Sequence, residues 1–165
     1  MIPSSSSGQN GAAEALSDAK KRGLARFVGF TGHKDPSIPL AMLRTGFPFD
    51  AVQMPLNAFD ANFRSFEQQV LPELTSQGIA ALGMKPISGR GEPVEKGVLT
   101  AEEALRCAMS LPVTVTITGM KLDILRQNLA ITQKFTPMSK HEMQAIRERC
   151  KRYAQDGRFE IYKTS

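Results

Sequence analysis

The chain has 165 residues, 41% of them hydrophobic, which suits one domain with a buried core and excludes a protein that is disordered throughout. Its formal net charge of +5 comes from 21 basic and 16 acidic side chains that are interspersed, without the aromatic-interleaved basic stripe of nucleic-acid binders, so we expect no nucleic-acid partner. No run of about 18 apolar residues is present, so we also expect no membrane span.

The N-terminal residues and the two cysteines indicate where the protein is located. Residues 1–10 are serine-rich and lack the positive start and apolar run of a signal peptide, and we predict a disordered lead-in. Cys107 and Cys150 have no metal-ligand or redox spacing, and Cys107 lies in an apolar helical pattern where a free cysteine behaves as a small hydrophobe. A reduced, cytoplasmic protein is therefore predicted.

Four strand patterns alternate with helical patterns along the chain. A first helix is predicted over 11–22, ending at Gly23. The strands are predicted at 25–30, 49–54, 79–84 and 113–118. The helices that follow them are predicted at 36–44, 62–76, 100–110 and 122–132, with a last helix from 139 to about 156. This rhythm is typical of repeated βα units with a parallel sheet buried on both faces.

Local signals mark the ends of several of these helices. Asp35-Pro36 suits a helix start, and the segments beginning at Thr100 and Ser139 each have the spacing of a capping box. Pro72 is expected to bend the helix over 62–76 or to mark an irregular turn in it. Both an open doubly wound sheet and part of a (β/α)₈ barrel fit this pattern. The glycine fingerprint of a dinucleotide-binding first turn is absent, and a complete barrel needs about 250 residues.

Four motifs in register resemble one known family. The segments "RFVGFTGH", "FDAVQMPLN", "GIAALGMKPISG" and "VTVTITGMKLDILRQNL" have the order, spacing and strand contexts of strands five to eight of an aldo-keto reductase barrel. The resemblance covers residues 11–135, and 136–165 are read as a C-terminal helix and tail. It implies an α/β fold that is half of a (β/α)₈ barrel, with four consecutive βα units.

The resemblance also implies an activity that this chain does not carry alone. The family reduces carbonyls with NADPH (or NADH), using a tyrosine, lysine, aspartate and histidine from the first half of the barrel, and none of these has a counterpart here. Tyr153 and Tyr162 lie beyond the last strand, and His141 is expected at the surface. We therefore predict the C-terminal part of a reductase that is inactive by itself, or, alternatively, a non-catalytic nucleotide-binding or self-associating half barrel.

The ends of the first two strands match positions that hold the nicotinamide carboxamide in the family. Thr31 and His33 stand where relatives often have a serine and an asparagine, and Gln53 stands where the family uses glutamine. A primary amide offers both a donor and an acceptor to the carboxamide. The alternatives are a polar turn at His33, a proton donor at His33, and a Gln53 satisfied by neighbouring backbone.

The end of the third strand differs more from the family. Met84 and Lys85 stand where many relatives have a stacking aromatic residue followed by a serine, and Met84 is expected to pack on the nicotinamide ring through its sulfur. Lys85 is read either as a phosphate or substrate contact or as an ordinary solvated lysine. Ser88 and Arg90, in a glycine-rich loop, are candidates for the pyrophosphate.

The segment after the fourth strand resembles the family's adenine side. Gly119 is expected to allow close backbone approach, Lys121 suits a 2′-phosphate, and Gln127 and Asn128 come near the adenine. The alternative for Lys121 is an ordinary charge on an exposed helix. A half barrel also leaves two sheet edges unpaired, so we expect self-association or a separate N-terminal half barrel as a partner, or loose packing of the isolated chain.

Overall fold

The computed structural model describes residues 11–119 and 121–164, which form a four-stranded sheet with helices between the strands. The strands are β1 Gly29–Thr31, β2 Ala51–Pro55, β3 Ala80–Met84 and β4 Val115–Thr116. The helices are α1 Ala12–Lys21, α2 Ser37–Leu43, α3 Phe66–Gln69, α4 Leu71–Gln77, α5 Glu92–Glu95, α6 Ala101–Met109, α7 Leu122–Gln133 and α8 Lys140–Ala154. Two 3₁₀ turns cover Asp60–Asn62 and Ile161–Lys163. The lead-in predicted for residues 1–10 lies outside the described residues.

The strands lie side by side in their order along the chain. The sheet order is β1-β2-β3-β4, and each neighbouring pair is parallel. Helical segments follow every strand, as repeated βα units require. The predicted fold class of four consecutive βα units is therefore confirmed, and a non-sequential open sheet is excluded. The sheet is not closed, since β1 and β4 each pair with one strand of the described part of the chain.

Helix ends follow the local signals in the sequence. Thr100 and Ser139 both form complete capping boxes, with Glu103 and Glu142 as the reciprocal partners. Asp35 accepts hydrogen bonds from the backbone N–H and the hydroxyl of Ser37 at the start of α2, but the N-cap residue is Pro36, so the helix begins one residue later than the Asp35-Pro36 signal predicts. Gly23, where the first helix was predicted to end, adopts a left-handed backbone conformation, and so do the glycines that follow three other helices, namely Gly46, Gly78 and Gly157.

The hydrophobic core lies around the two inner strands. Val52 and Met54 of β2 are completely buried, and Ala81 of β3 is nearly so. The helices that cover them contribute further buried side chains, among them Phe66, Leu74, Ala104, Cys107, Ile146 and Cys150. Burial of this apolar area supplies the main stabilisation of the fold.

The expected burial of all four strands on both faces is wrong for the outer pair. The first strand was predicted over 25–30, but it begins only at Gly29, and the Phe27 side chain is 70% exposed. The fourth was predicted over 113–118 and is a strand only at Val115–Thr116. An outer strand has one partner and one open side, so fewer of its residues meet the geometry of a ladder.

The helix predicted over 62–76 is divided into α3 and α4. The Asp60 carboxylate accepts the backbone N–H groups of Phe66 and Glu67, and this fixes a helix start after Ser65. Pro72 then occupies the first turn of α4, where its missing N–H costs no intrahelical bond. The long loop predicted after β3 also contains one short helix, α5.

Candidate functional site

The carboxyl ends of parallel strands meet at one edge of a sheet, and three of the predicted cofactor residues are in contact there. Thr31 is in register with Gln53, and its hydroxyl donates to the Gln53 backbone carbonyl at 3.2 Å. The Gln53 side-chain Nε2 donates to the Met84 sulfur at 3.4 Å. The ends of β1, β2 and β3 therefore carry one row of polar and polarizable groups.

The amide of Gln53 is only lightly used within the chain. A thioether sulfur is a weak acceptor, and the side-chain oxygen Oε1 of Gln53 accepts no hydrogen bond from the described residues. The side chain is half-buried, so one face of the amide meets solvent. It can present both a donor and an acceptor to a ligand at the strand ends, as an external carboxamide requires.

Lys85 and His33 both contact the ring of Tyr162, a residue expected beyond the last strand and away from the site. The Lys85 ammonium lies 4.9 Å from the centre of the Tyr162 ring, within the range of a cation–π contact. The His33 ring packs against the same ring edge-on, with 6.0 Å between centroids. Tyr162 follows the last helix by sequence, yet it returns to the strand ends. No local pattern in the sequence signals this return.

Backbone strain is concentrated in the same region. Three non-glycine residues of the described chain have positive φ angles, namely Arg64 at 41°, Lys85 at 56° and Ser88 at 64°. All three lie in the loops that follow β2 and β3. Non-glycine residues in this conformation cost about 1–3 kcal/mol and are frequent at functional sites. Two of the three strained residues, Lys85 and Ser88, are thus predicted site residues.

The loop after β3 is held by the C-terminal segment. Ser88 is buried, and its hydroxyl donates to the Phe159 carbonyl. The Gly89 backbone N–H donates to the same carbonyl at 3.5 Å. Arg90 remains exposed. A phosphate at this loop would therefore meet Arg90 directly, whereas Ser88 is already bonded within the chain.

A buried charge cluster of Asp60, Glu160 and Lys163 holds the C-terminal segment beside these loops. The Lys163 ammonium donates to Asp60 Oδ1 at 2.6 Å, to the Phe63 carbonyl at 2.8 Å, and lies 3.0 Å from Glu160 Oε1. Both Lys163 and Asp60 have fully buried side chains. Asn57 adds a hydrogen bond to Glu160 at 3.2 Å. All three ammonium protons thus have acceptors.

The cluster contains two carboxylates and one ammonium. Burial raises the pKa of Asp60, and the attraction of Lys163 opposes that shift. Burial also raises the pKa of Glu160, again against Lys163, and its Oε2 has no hydrogen-bond partner. Burial therefore favours the protonated form of both carboxyl groups, and Lys163 favours their charged form.

Tyr162 has a histidine and a lysine beside it, but its hydroxyl is unsuited to acid catalysis. The hydroxyl donates to Glu160 Oε1 at 2.7 Å and accepts from Asn57 at 3.2 Å. Burial, followed by the Glu160 charge, raises the pKa of Tyr162 well above its usual range. The Lys85 ammonium faces the ring and not the oxygen. A proton donor needs the opposite shift, so these residues do not form a catalytic acid.

The adenine-side candidates follow β4 and differ in exposure. Gly119, Lys121 and Gln127 are exposed, and Lys121 is the N-cap residue of α7. Asn128 is 3% exposed, and neither atom of its amide has a hydrogen-bond partner. An unsatisfied buried amide costs a few kcal/mol. Asn128 is thus the one predicted site residue whose environment leaves a donor and an acceptor unmatched.

Other features of the described residues offer no competing site. No group of three metal-ligating side chains comes together in the ranges that the structure describes. Burial raises the pKa of Cys107 to about 11 and that of Cys150 to about 12, so neither is a reactive thiolate. A cavity of about 280 Å³ lies at the amino ends of β1 and β2, away from the strand-end residues, and is lined by Ser17, Lys20, Lys21, Val28, Phe47 and Pro48.

None of the helices in the described part of the chain has the length and apolar character needed to cross a membrane. His141 is exposed in the first turn of α8, as predicted.

No family model matches the sequence, and no curated protein matches it. Solved structures do match the fold. The thermostable aldo-keto reductase Tm1743 is 18% identical, with a TM-score of 0.59 over 83% of this chain and 53% of its own. The aldo-keto reductase AKR11C1 from Bacillus halodurans is 17% identical, with a TM-score of 0.62 over 87% of this chain and 58% of its own.

The aldose reductase from Schistosoma japonicum is 15% identical, with a TM-score of 0.57 over 82% of this chain and 45% of its own. The chain therefore spans about half the length of the solved structures that it matches. At these identities the likeness establishes the fold alone. Four parallel βα units in an open sheet resemble part of an aldo-keto reductase barrel, as the sequence motifs predicted.

Proposed function

We propose that this chain supplies the cofactor-binding strand ends of an NAD(P)H-dependent aldo-keto reductase and does not reduce carbonyls alone. The contact row of Thr31, Gln53 and Met84 carries the proposal. These residue types at three adjacent strand ends suit a nicotinamide carboxamide and the ring beside it. Carbonyl reduction itself is inferred by analogy with the fold.

The residues present fit a nicotinamide dinucleotide. Gln53 would hold the carboxamide, and Met84 would pack on the ring. The unmatched amide of Asn128 has the donor and acceptor that pair with the N6/N7 edge of an adenine. Lys121 and Arg90 would meet phosphates, and NADPH is proposed over NADH because Lys121 suits a 2′-phosphate. A bound reduced nicotinamide supplies hydride to a carbonyl carbon.

The absence of catalysis by the chain alone is proposed from its own proton donors. The sequence has two tyrosines and two histidines. Tyr162 donates to a buried carboxylate, and Tyr153 lies in α8 against Phe159. Hydride transfer to a carbonyl requires a matching proton transfer, and of these four side chains His33 is the one that remains near the strand ends. The remaining donor would come from another half barrel. A cytoplasmic location is proposed from the two free cysteines.

Binding is tested by titrating the purified chain with NADPH and following its fluorescence. We expect saturable binding that weakens about five- to tenfold in Gln53→Leu, the effect of one lost hydrogen bond of about 1–1.5 kcal/mol. Gln69→Leu, on the exposed side of α3, is the matched control and should bind as the wild type does. Equal affinities for the three proteins would refute the assignment of Gln53.

Turnover is tested separately by NADPH consumption with an aldehyde substrate. We expect none from the chain alone, and robust turnover would contradict the proposal. Addition of an N-terminal half barrel that carries the four catalytic side chains then distinguishes two outcomes. Restored turnover indicates a split reductase, whereas cofactor binding without turnover favours a nucleotide-binding module, which the bonding of the Tyr162 hydroxyl to Glu160 supports.

A further inference from the structure

The two outer strands present apolar side chains to solvent, each beside an arginine. Before β1, Leu24 and Phe27 are exposed, and the Arg26 guanidinium lies 5.7 Å from the centre of the Phe27 ring. We call Leu24, Arg26, Phe27 and β1 the β1 edge. No acidic side chain among the described residues pairs with Arg26.

The opposite side of the sheet repeats this chemistry. Val115 and Ile117 are exposed at β4, and α7 carries exposed Leu122 and Leu129. Arg126 lies between these leucines at helical spacing, so the three share one face of α7. It also has no acidic partner among the described residues. We call Val115, Ile117 and the face of Leu122, Arg126 and Leu129 the β4 edge.

The two edges also resemble each other in the net charge of the residues around the two arginines. Residues 12–31 contain four basic and two acidic side chains, and residues 113–134 contain three basic and one acidic side chain. Lys20 and Arg22 are neutralised by Asp50 and Asp18, which leaves Arg26 among the unpaired charges of the first segment. Both edges are therefore apolar and positively charged.

This charge distribution distinguishes two ways of covering the edges, a dimer of this chain and a complex with a different polypeptide. In a ring of two copies, the β1 edge of each copy would face the β4 edge of the other, so positive charge would meet positive charge twice. Like charges in an interface disfavour association, whereas opposite charges favour it and speed encounter. We propose that the two edges bind a different polypeptide, one that presents apolar strand edges flanked by Asp or Glu.

The proposal specifies the chemical character of the polypeptide that would pair with the half barrel. It depends on the open sheet and not on the cofactor site, so NADPH binding by the same samples reports on the proposed function independently. The sequential order of the strands gives both edges the same parallel polarity, and the partner must offer two parallel strand edges in turn.

Copies of this chain with reversed charges serve as the acidic probe. The double variant Arg26→Glu/Arg126→Glu makes both edges acidic, and sedimentation velocity at low salt compares it with the wild type. We expect each protein alone to remain monomeric and an equimolar mixture to form a one-to-one dimer, at least about tenfold tighter than either homodimer. Raising the salt to about 1 M, where the Debye length is ~3 Å, should weaken the mixed dimer.

Two further proteins keep the test decisive. Arg126→Glu alone has one basic and one acidic edge, so it should associate with itself, and it replaces the double variant if circular dichroism shows that the latter is unfolded. Lys140→Glu/Arg152→Glu changes the charge by the same amount on α8 and should not associate with the wild type. A wild type that dimerises at low salt as tightly as the mixture, or a folded mixture that stays monomeric, would overturn the proposal.

Discussion

The two inner strands and the two outer strands of this sheet are supported very differently. β2 and β3 pair over five residues and are covered by helices whose apolar faces are buried. β1 pairs over three residues and β4 over two. The flanking α1 has no buried side chain, and Asn128 is the one buried residue of α7. The buried contacts that stabilise the fold are thus concentrated around β2 and β3. β1 and β4 are only partly covered by the described residues.

The buried charge cluster belongs to the inner region, and removing its cation should have the largest effect. Lys163→Ala leaves Asp60 and Glu160 buried without a counter-charge, which should lower the free energy of unfolding by about 3–5 kcal/mol. Urea denaturation measures this. Lys121→Ala, at the exposed start of α7, is the matched control and should change stability by no more than about 0.5 kcal/mol. Equal losses of unfolding free energy in the two variants would contradict the difference in stability between the inner and outer regions.

Two leucines test the same contrast without charge. Leu74 of α4 is completely buried, whereas Leu129 of α7 is 53% exposed. Leu74→Ala should cost about 2–5 kcal/mol because it removes apolar contacts and leaves a cavity, and Leu129→Ala should change stability by about 0.5 kcal/mol or less. Thermal and urea unfolding of both variants provide the measurement. A large loss at Leu129 would show that the β4 edge is already covered in the isolated chain.

Periodic and local signals in the sequence were sufficient for the two inner strands, although the single helix predicted between them is divided into α3 and α4. The patterns for β2 and β3 located those strands to within two residues, and both capping boxes formed as predicted. Propensity and capping act between near neighbours, so the sequence displays them directly. Apolar runs also predicted longer outer strands, because composition does not reveal whether a strand has one partner or two.

The candidate site likewise has some contacts that the sequence predicted and others that it did not. Thr31, Gln53 and Met84 were expected together because parallel strands in sequential order place their ends side by side. The contacts of Lys163 with Asp60, which are 103 residues apart, and of Tyr162 with Lys85 had no local signal. They depend on where the C-terminal segment returns after α8. The roles of the predicted cofactor residues remain predictions.

A smaller effect is expected where an outer strand does have a strict packing requirement. A Cβ atom on Gly29 would lie 2.2 Å from the Ala51 carbonyl oxygen, whereas one on Gly32 would lie 3.6 Å from the nearest Pro39 atom. Gly29→Ala should therefore shift β1 away from β2 and cost about 1–3 kcal/mol, while Gly32→Ala should be tolerated. Hydrogen exchange at β1 and β2, together with urea unfolding, distinguishes a local displacement from global loss. Unchanged exchange in Gly29→Ala would contradict the close approach of the strands.

The smallest expected effect is a pH dependence that arises in the inner cluster. Burial raises the pKa of Glu160 above its unfolded value of about 4.3, so the folded state holds more protons than the unfolded state between these two pKa values. The stabilisation from this proton is complete below the unfolded pKa and is lost as the pH rises through the folded pKa. One group changes the slope by at most about 1.4 kcal/mol per pH unit.

Glu160→Gln keeps the shape of the side chain and removes this titration. The difference in unfolding free energy between the wild type and the variant should therefore fall as the pH increases from about 4, and urea titrations across that range measure it. The acid-range slopes of carboxylates outside the cluster, such as Asp35, whose pKa is lowered by its hydrogen bonds to Ser37, cancel in the difference. A difference that rises with pH would mean that the attraction of Lys163 outweighs burial at Glu160, so that folding lowers the pKa of this carboxyl group instead of raising it.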